Sequence, residues 1–360
     1  MPNDELPGIY FGETVTTLTG QIAEEDMVCF VVQSTESIPS IDNKCTLFAD
    51  YESFESVATD KGLPKTLAFI DAVLTRSGKT SFYVYGVRTD TIAGYSAAIT
   101  SSTHIKELRH FVYFEETKTD LSVATKMTAL RDGCNNCYRY GAFRTVTVIP
   151  DATIADAVTN ANANTPKEQT VVSTFTTLLN GVSSGRLNVA VPDGASTIVG
   201  HILGIDFYEE PSVAELGAVE LEYAFDYGQM KSLMNLGVLF IRQKRIGGVT
   251  VNKINFGVNT GYNSSSADGT IKARRIADEL LHNIDYALDE YIGQDDHANN
   301  IVLAQTSVDS EVSEFASAGY VDQAGTLLTV ADTGTMKMGV DGTITTTKPL
   351  REIDVNTVIN

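Results

Sequence analysis

Few residues in this chain have the types and spacing that covalent chemistry needs. Gly181-Val182-Ser183-Ser184-Gly185 matches the Gly-x-Ser-x-Gly pattern of a nucleophile elbow, in which a strand delivers the serine to a sharp turn and a helix follows. Here the context is reversed: a helix-period run precedes Ser183 and the apolar run Leu187-Asn188-Val189-Ala190-Val191 follows it. The pattern therefore reads as a turn. Cys134-Asn135-Asn136-Cys137 has the spacing of two zinc ligands, but a tetrahedral site takes four, and neither a second cysteine pair nor a close histidine pair follows. Two half-buried helical thiols are expected. His104, His110, His201, His282 and His297 lie far apart in sequence. Asp289, Glu290, Asp295 and Asp296 lack the sixth-position glycine and terminal glutamate of a calcium loop and read as solvated surface. Neither a Gly-x-Gly-x-x-Gly nor a Gly-x-x-x-x-Gly-Lys-Ser/Thr phosphate loop occurs. No catalytic residue, metal or cofactor is expected.

One cluster of charge stands out. Between Phe240 and Arg275 seven basic residues (Arg242, Lys244, Arg245, Lys253, Lys272, Arg274, Arg275) face one acid, Asp268, so the local charge is 7 − 1 = +6 in a chain of 26 − 46 = −20. Lys272, Arg274 and Arg275 fall near the start of a helix whose far end carries Asp285, Asp289 and Glu290. That arrangement opposes the helix dipole and costs about 0.3–1 kcal/mol per charge. Two readings follow: a basic face held for an acidic partner, or internal pairing with the chain's own surplus carboxylates.

The elements that must position these groups follow from apolar periodicity. At 360 residues with 43% apolar content, the chain can build about two domains. Met27-Val28-Cys29-Phe30-Val31-Val32, residues 81–87, 111–114, 144–149 and 187–191 read as buried strands, alternating with helices over 64–75, 120–131 and 171–180. This is the pattern of an α/β layered sheet. Ile276, Leu280, Ile284 and Leu288 define an amphipathic helix ending near Gly293, after a loop at 264–269. Four cysteines set no disulfide framework, the acidic start lacks the features of a secretory signal, and no run approaches a membrane span. A cytoplasmically made protein is expected, with no membrane insertion and, given its acidity, no nucleic-acid partner.

The chain ends differ from the middle. Ile9-Tyr10-Phe11-Gly12-Glu13-Thr14-Val15, residues 343–347, and Ile353-Asp354-Val355-Asn356-Thr357-Val358-Ile359 are β-rich. Isolated strands are unstable in water and must pair. They pair either within their own chain or with another.

Order and spacing of several motifs resemble the contractile tail sheath family of phages, also found in R-type bacteriocins and related injection systems. Leu6-Pro7-Gly8-Ile9-Tyr10-Phe11-Gly12-Glu13 is similar to the family's Pro-Gly-Val-Tyr start, and Phe82-Tyr83-Val84-Tyr85-Gly86-Val87-Arg88 to its Tyr-Val-hydrophobic-Arg-Val strand. Pro192-Asp193-Gly194-Ala195 with Gly200-His201-Ile202-Leu203-Gly204-Ile205-Asp206 resembles its Pro-x-Gly-Ala and Gly-to-Asp segments. Leu233-Met234-Asn235-Leu236-Gly237-Val238 and Ile271-Lys272-Ala273-Arg274-Arg275-Ile276-Ala277-Asp278 resemble its Leu-Asn-x-x-Gly-Val segment and Val-x-Arg-Arg-x-x-Asp helix. The chain departs from the family in having no Trp and in a one-residue shift of the Leu-Asn segment.

The resemblance implies a non-enzymatic subunit that polymerises helically around a tail tube and contracts. The implied layout is an N-terminal arm (1–22), an outer α/β domain of subtilisin-like topology without catalytic residues (23–230), an inner sheath domain (231–342) and a C-terminal arm (343–360). Terminal strands would complete neighbours' sheets through Ile9, Tyr10, Phe11, Val15, Ile353, Val355 and Val358. Arg242, Lys244, Arg245, Lys272, Arg274 and Arg275 would face the tube or a neighbouring subunit. Implied partners are further copies of the chain, the tube protein, the baseplate and the tail terminator, in a virion tail assembled in the host cytoplasm. Another part of the same machine, or an α/β hydrolase, are the alternatives.

Overall fold

The computed structural model describes residues 10–15, 27–34, 36–138, 141–246, 249–262, 269–291, 297–334 and 337–347. The strands are β1 (Tyr10–Val15), β2 (Met27–Gln33), β3 (Cys45–Phe48), β4 (Phe82–Val87), β5 (Leu108–Phe114), β6 (Thr145–Ile149), β7 (Leu187–Ala190), β8 (Val238–Leu239), β9 (Ile241–Ile246), β10 (Val249–Ile254), β11 (Leu327–Gly334) and β12 (Lys337–Ile344). The helices are α1 (Tyr51–Ala58), α2 (Pro64–Ser77), α3 (Ile92–Thr100), α4 (Val123–Cys137), α5 (Asp151–Thr159), α6 (Lys167–Leu178), α7 (Ala195–Gly204), α8 (Tyr227–Asn235), α9 (Ile271–Leu288) and α10 (His297–Ser317).

Seven strands form one sheet in the order β3-β4-β2-β5-β6-β7-β8, parallel throughout except for β3. A parallel sheet is covered on both faces, so its strands read as unbroken apolar runs. Alternate residues feed two cores. Cys29, Val31, Tyr85 and Tyr113 meet α3 and α4 on one face. Val28, Phe30, Val84 and Val112 meet α1, α2 and α7 on the other. The fold class is α/β, as the alternation of runs predicts. The start of α4 is set by Ser122, whose side chain accepts from Thr125 N–H, so the helix begins three residues later than its periodicity suggests.

Two glycines in the motif segments have steric reasons. A Cβ on Gly200 in α7 would lie 2.6 Å from Cβ of Arg76, so α7 packs against α2 only without one. Gly237, at φ +71°, turns the chain from α8 into β8, and a Cβ there would sit 2.1 Å from the Asn259 carbonyl oxygen.

A third core lies between α9, α10 and a small sheet of order β1-β12-β11. Ile276, Leu280, Ile284 and Leu288, the stripe visible in the sequence, meet Ala304, Val308 and Phe315 of α10 and Val330, Val340 and Ile344 of the sheet. The cores do not divide at residue 230. β8 closes the seven-stranded sheet, and Leu239, Ile241, Ile254 and Ile271 all belong to its second core. The change falls inside α9, between Ile271 and Ile276. Nor is the chain a free arm from 343: Thr343 and Ile344 finish β12, Thr346 bridges Val321, and Thr347 N–H donates to the Tyr320 carbonyl.

Candidate assembly interface

The small sheet joins the two ends of the described chain. β11 and β12 form an antiparallel hairpin, and β1 adds to β12 in parallel, from Tyr10 opposite Gly339 to Val15 opposite Ile344. Tyr10, Phe11 and Val15 thus lie in a strand paired within its own chain. Ile9, Ile353, Val355 and Val358 lie outside the described residues. β12 is central, so β1 and β11 are the edges. The β11 edge is met by a side chain: Val330 N–H donates to Gln305 Oε1 at 2.7 Å, and Gln305 Nε2 donates to the Leu328 carbonyl at 3.0 Å. The amide occupies hydrogen-bonding groups that an added strand would use.

The basic cluster is divided by the fold. Arg242 lies half-buried with its guanidinium 5.4 Å from the Phe256 ring centroid. The backbones of Lys244 and Arg245 pair with Val251 and Thr250 in the β9–β10 hairpin. Lys253 Nζ donates to the Val213 carbonyl at 2.7 Å. Lys272 is half-buried at the start of α9.

Arg274 and Arg275 are not on an outward basic face; both are buried. Arg274 donates from Nε (3.1 Å) and Nη2 (2.6 Å) to Asp278 Oδ1, one turn on. Arg275 reaches across to the end of α7 and donates to the carbonyls of Ile202 (3.2 Å), Ile205 (3.1 Å) and Asp206 (3.3 Å). Those carbonyls are of the kind a helix end leaves without intrahelical partners. The other oxygen of Asp278 accepts from Arg186 Nη1 at 3.2 Å. Arg109 pairs with Glu279, and Lys106 with Asp285.

These contacts explain charges that oppose the α9 dipole. α9 lies across the N-terminal ends of the parallel strands, where Arg109 and Arg186 enter from β5 and from just before β7. A buried charge is tolerated when it is paired and hydrogen-bonded, and that requirement exceeds a dipole term of about 0.3–1 kcal/mol. Arg144, just before β6, is held by neutral oxygens: its guanidinium donates to Ser102 Oγ (3.0 Å), to the Ile99 carbonyl in the last turn of α3, and to the Ser102 and Ile105 carbonyls beyond it. Sequence reasoning did not single out Arg109, Arg144, Arg186 or Glu279. The available signal was a basic residue at the head of three of the apolar runs, at Arg109, Arg144 and Arg186.

The motifs weighed for chemistry fall elsewhere. Ser183 sits between α6 and β7, and its hydroxyl donates to the Thr260 carbonyl at 2.9 Å. Cys134 and Cys137 are fully buried rather than half-buried, and burial pushes both thiols up. Asp289 and Glu290 are exposed in a short turn after α9, while Asp295 and Asp296 lie outside the described residues. Among the described residues no group of three or more His, Cys, Asp or Glu is placed to hold a metal, and no helix is long and apolar enough to cross a membrane.

Two solved structures resemble the chain end to end. A chain of the anti-feeding prophage baseplate, determined by cryo-EM with six-fold symmetrisation, superposes with a TM-score of 0.64 at 14% identity, covering 99% of this chain and 100% of that one. A chain of the PVC sheath complex of an extracellular contractile injection system, in the contracted state, superposes with a TM-score of 0.64 at 10% identity, covering 100% and 99%. At these identities the likeness is one of fold, and it is a fold found in contractile injection system assemblies. No protein-family model matches the sequence, and no curated protein does.

Proposed function

We propose that this chain is the repeating structural subunit of a contractile sheath, polymerising helically around a tail tube and contracting to drive that tube through a target envelope. The observation that carries the reading is the terminal sheet, where β1 is held on β12 by one row of parallel backbone pairing with the sequence between β1 and β2 as its tether. A strand added this way is exchangeable: the same residues 10–15 of a neighbouring copy satisfy the same backbone groups. Residues 353–359, a β-rich stretch that includes Ile353, Val355 and Val358, are suited to a further addition of the same kind. The work of contraction then comes from new contacts between copies, and no covalent step or cofactor enters. Arg242, Lys244, Arg245 and Lys272 remain the proposed contacts with the tube or a neighbour, without Arg274 and Arg275.

The second reading is a baseplate component, favoured by the equal likeness to the anti-feeding prophage chain. Negative-stain microscopy of the purified full chain separates the two. Rings or tubes of stacked copies are expected. Deleting residues 1–18 should leave a folded chain by circular dichroism that forms neither. Discrete, non-stacking particles from the full chain, or unchanged tubes from the deletion, would remove the strand-exchange sheath reading.

A further inference from the structure

Between β2 and β5 the seven-stranded sheet changes its direction of growth, with β4 added on one side and β5 to β8 on the other. The C-terminal ends of strands at such a point frame the crevice where open α/β sheets place their polar groups. Here the crevice is filled from within. Lys126 of α4 is 0% exposed, and its Nζ lies 2.8 Å from Thr119 Oγ1, 3.2 Å from Gln33 Oε1 and 3.3 Å from the Tyr113 hydroxyl. Two carboxylates stand just beyond, Asp90 Oδ1 at 3.7 Å and Glu115 Oε1 at 4.0 Å. The rings of Tyr95 and Tyr113 line the amine, with centroids at 5.6 and 5.8 Å.

Each group has a state suited to a reaction between them. Burial pushes the Lys126 amine down, partly offset by Asp90 and Glu115, and pushes the Glu115 carboxyl up. Glu115 Oε1 has no hydrogen-bond partner, although its other oxygen accepts from Thr153 N–H at 2.9 Å. Asp90 is met on both oxygens: Leu121 N–H donates to Oδ2 at 3.2 Å, and the Tyr95 hydroxyl shares its one proton between Gln33 Oε1 at 2.8 Å and Asp90 Oδ1 at 3.0 Å. Donors on a carboxyl stabilise the negative charge that develops when its carbon is attacked. A buried amine lined by two aromatic rings, its nitrogen 3.7 Å from Asp90 Oδ1, is a nucleophile held near that carboxyl.

We propose that Lys126 and Asp90 become joined by an amide bond between Nζ and Cγ, with Glu115 as the proton carrier. From the ion pair, Glu115 takes one proton from Nζ and frees the amine, which attacks Cγ. The C–N bond forms, the tetrahedral carbon loses one Asp90 oxygen, and that oxygen leaves as water. Of the three ammonium protons one stays on the amide nitrogen and two depart in the water, one of them through Glu115. Ammonium plus carboxylate becomes amide plus water, with no oxidant or other reactant. The Asp90 side chain is 23% exposed, which opens a route for the water. The bond would fasten α4 to the loop between β4 and α3, and it stands whether or not the chain forms a sheath.

Mass spectrometry of the denatured full chain tests this. The chain should be lighter than its sequence by one water, relative to an Asp90→Ala chain corrected for the substitution. Digestion should yield a branched peptide carrying both Lys126 and Asp90. Glu115→Gln should fold, as judged by circular dichroism, and keep its full mass. Asp90→Asn should reach the bonded mass by losing ammonia. A folded wild-type chain at full mass would overturn the proposal, and so would loss of ammonia from the wild type, which would place the bond at Gln33. A fully bonded Glu115→Gln chain would remove Glu115 from the reaction.

Discussion

Replacing Asp278 by alanine removes the carboxylate on which two buried guanidiniums converge. In the folded chain Asp278 accepts from Arg274 Nε and Nη2 at 3.1 and 2.6 Å, and from Arg186 Nη1 at 3.2 Å. The side chains of Arg274 and Arg186 are 8% and 2% exposed, so water cannot readily take over. Breaking a buried pair by removing one partner costs about 3–5 kcal/mol, most of it the burial of the charge left behind. Adding full values for three charged hydrogen bonds would overshoot, because the three share one carboxylate. Against a typical stability of about 5–15 kcal/mol, this loss is a large fraction. Urea unfolding of wild type and Asp278→Ala, followed by circular dichroism, reads it directly. The exposed pair Lys167–Glu222, with side chains 58% and 57% exposed, is the control. Glu222→Ala should leave the urea midpoint almost unchanged, since a solvent-exposed pair contributes little. If Asp278→Ala costs as little, the account of α9 as a helix clamped by buried charge is wrong. By the same logic, Arg274→Glu with Arg275→Glu should destabilise the monomer itself, not only its assembly.

Two further perturbations address single contacts. Burial raises the folded pKa of Asp285, with Lys106 partly offsetting it. A raised carboxyl contributes stability below its unfolded pKa of about 3.9 and loses it as pH rises through the folded value. Asp285→Asn should therefore gain on the wild type as pH rises from about 4 toward neutrality, measured as urea midpoints of both proteins across that range; a gain that shrinks with rising pH would contradict the assigned direction. Gln305→Ala takes the amide off the β11 edge and leaves Val330 N–H without this acceptor, at a cost of about 1–3 kcal/mol where the edge stays dry. The opened edge should also give concentration-dependent association by light scattering, and unchanged stability and scattering would show that Gln305 does not guard it.

The seven-stranded sheet was legible because burial on both faces writes itself as unbroken apolar runs such as Val28 to Val32. β3 was harder, since at the sheet edge Leu47 is exposed and the run is four residues long. β8 has only two residues, so nothing local marks Val238-Leu239 as the last strand of the sheet, and the domain boundary was drawn before it. Formal charge located Arg274 and Arg275, and pairing with the chain's own carboxylates was one of its two readings, without Asp278 being named as the partner. Their further partners were hidden: Arg186 lies 92 positions from Asp278, and the α7 carbonyls met by Arg275 lie about 70 away. The polar crevice around Lys126 was invisible for the same reason, because its members come from β2, β5, α3, α4 and two loops.

The parallel sense of β1 on β12 fixes how that contact bears tension. Both strands run the same way, so the sequence that follows β1 leaves the pair at the Val15 end, whereas the chain arriving from β11 enters β12 at the opposite, Gly339 end. Pulling these two segments apart along the strand axis drags the strands past each other. Every hydrogen bond across the six residue pairs is loaded at once. An antiparallel partner in the place of β1, pulled by the same two segments, would peel open one bond at a time from one end. The joint therefore resists axial stretching by collective shear, and yields most easily to a force that lifts β1 sideways from β12.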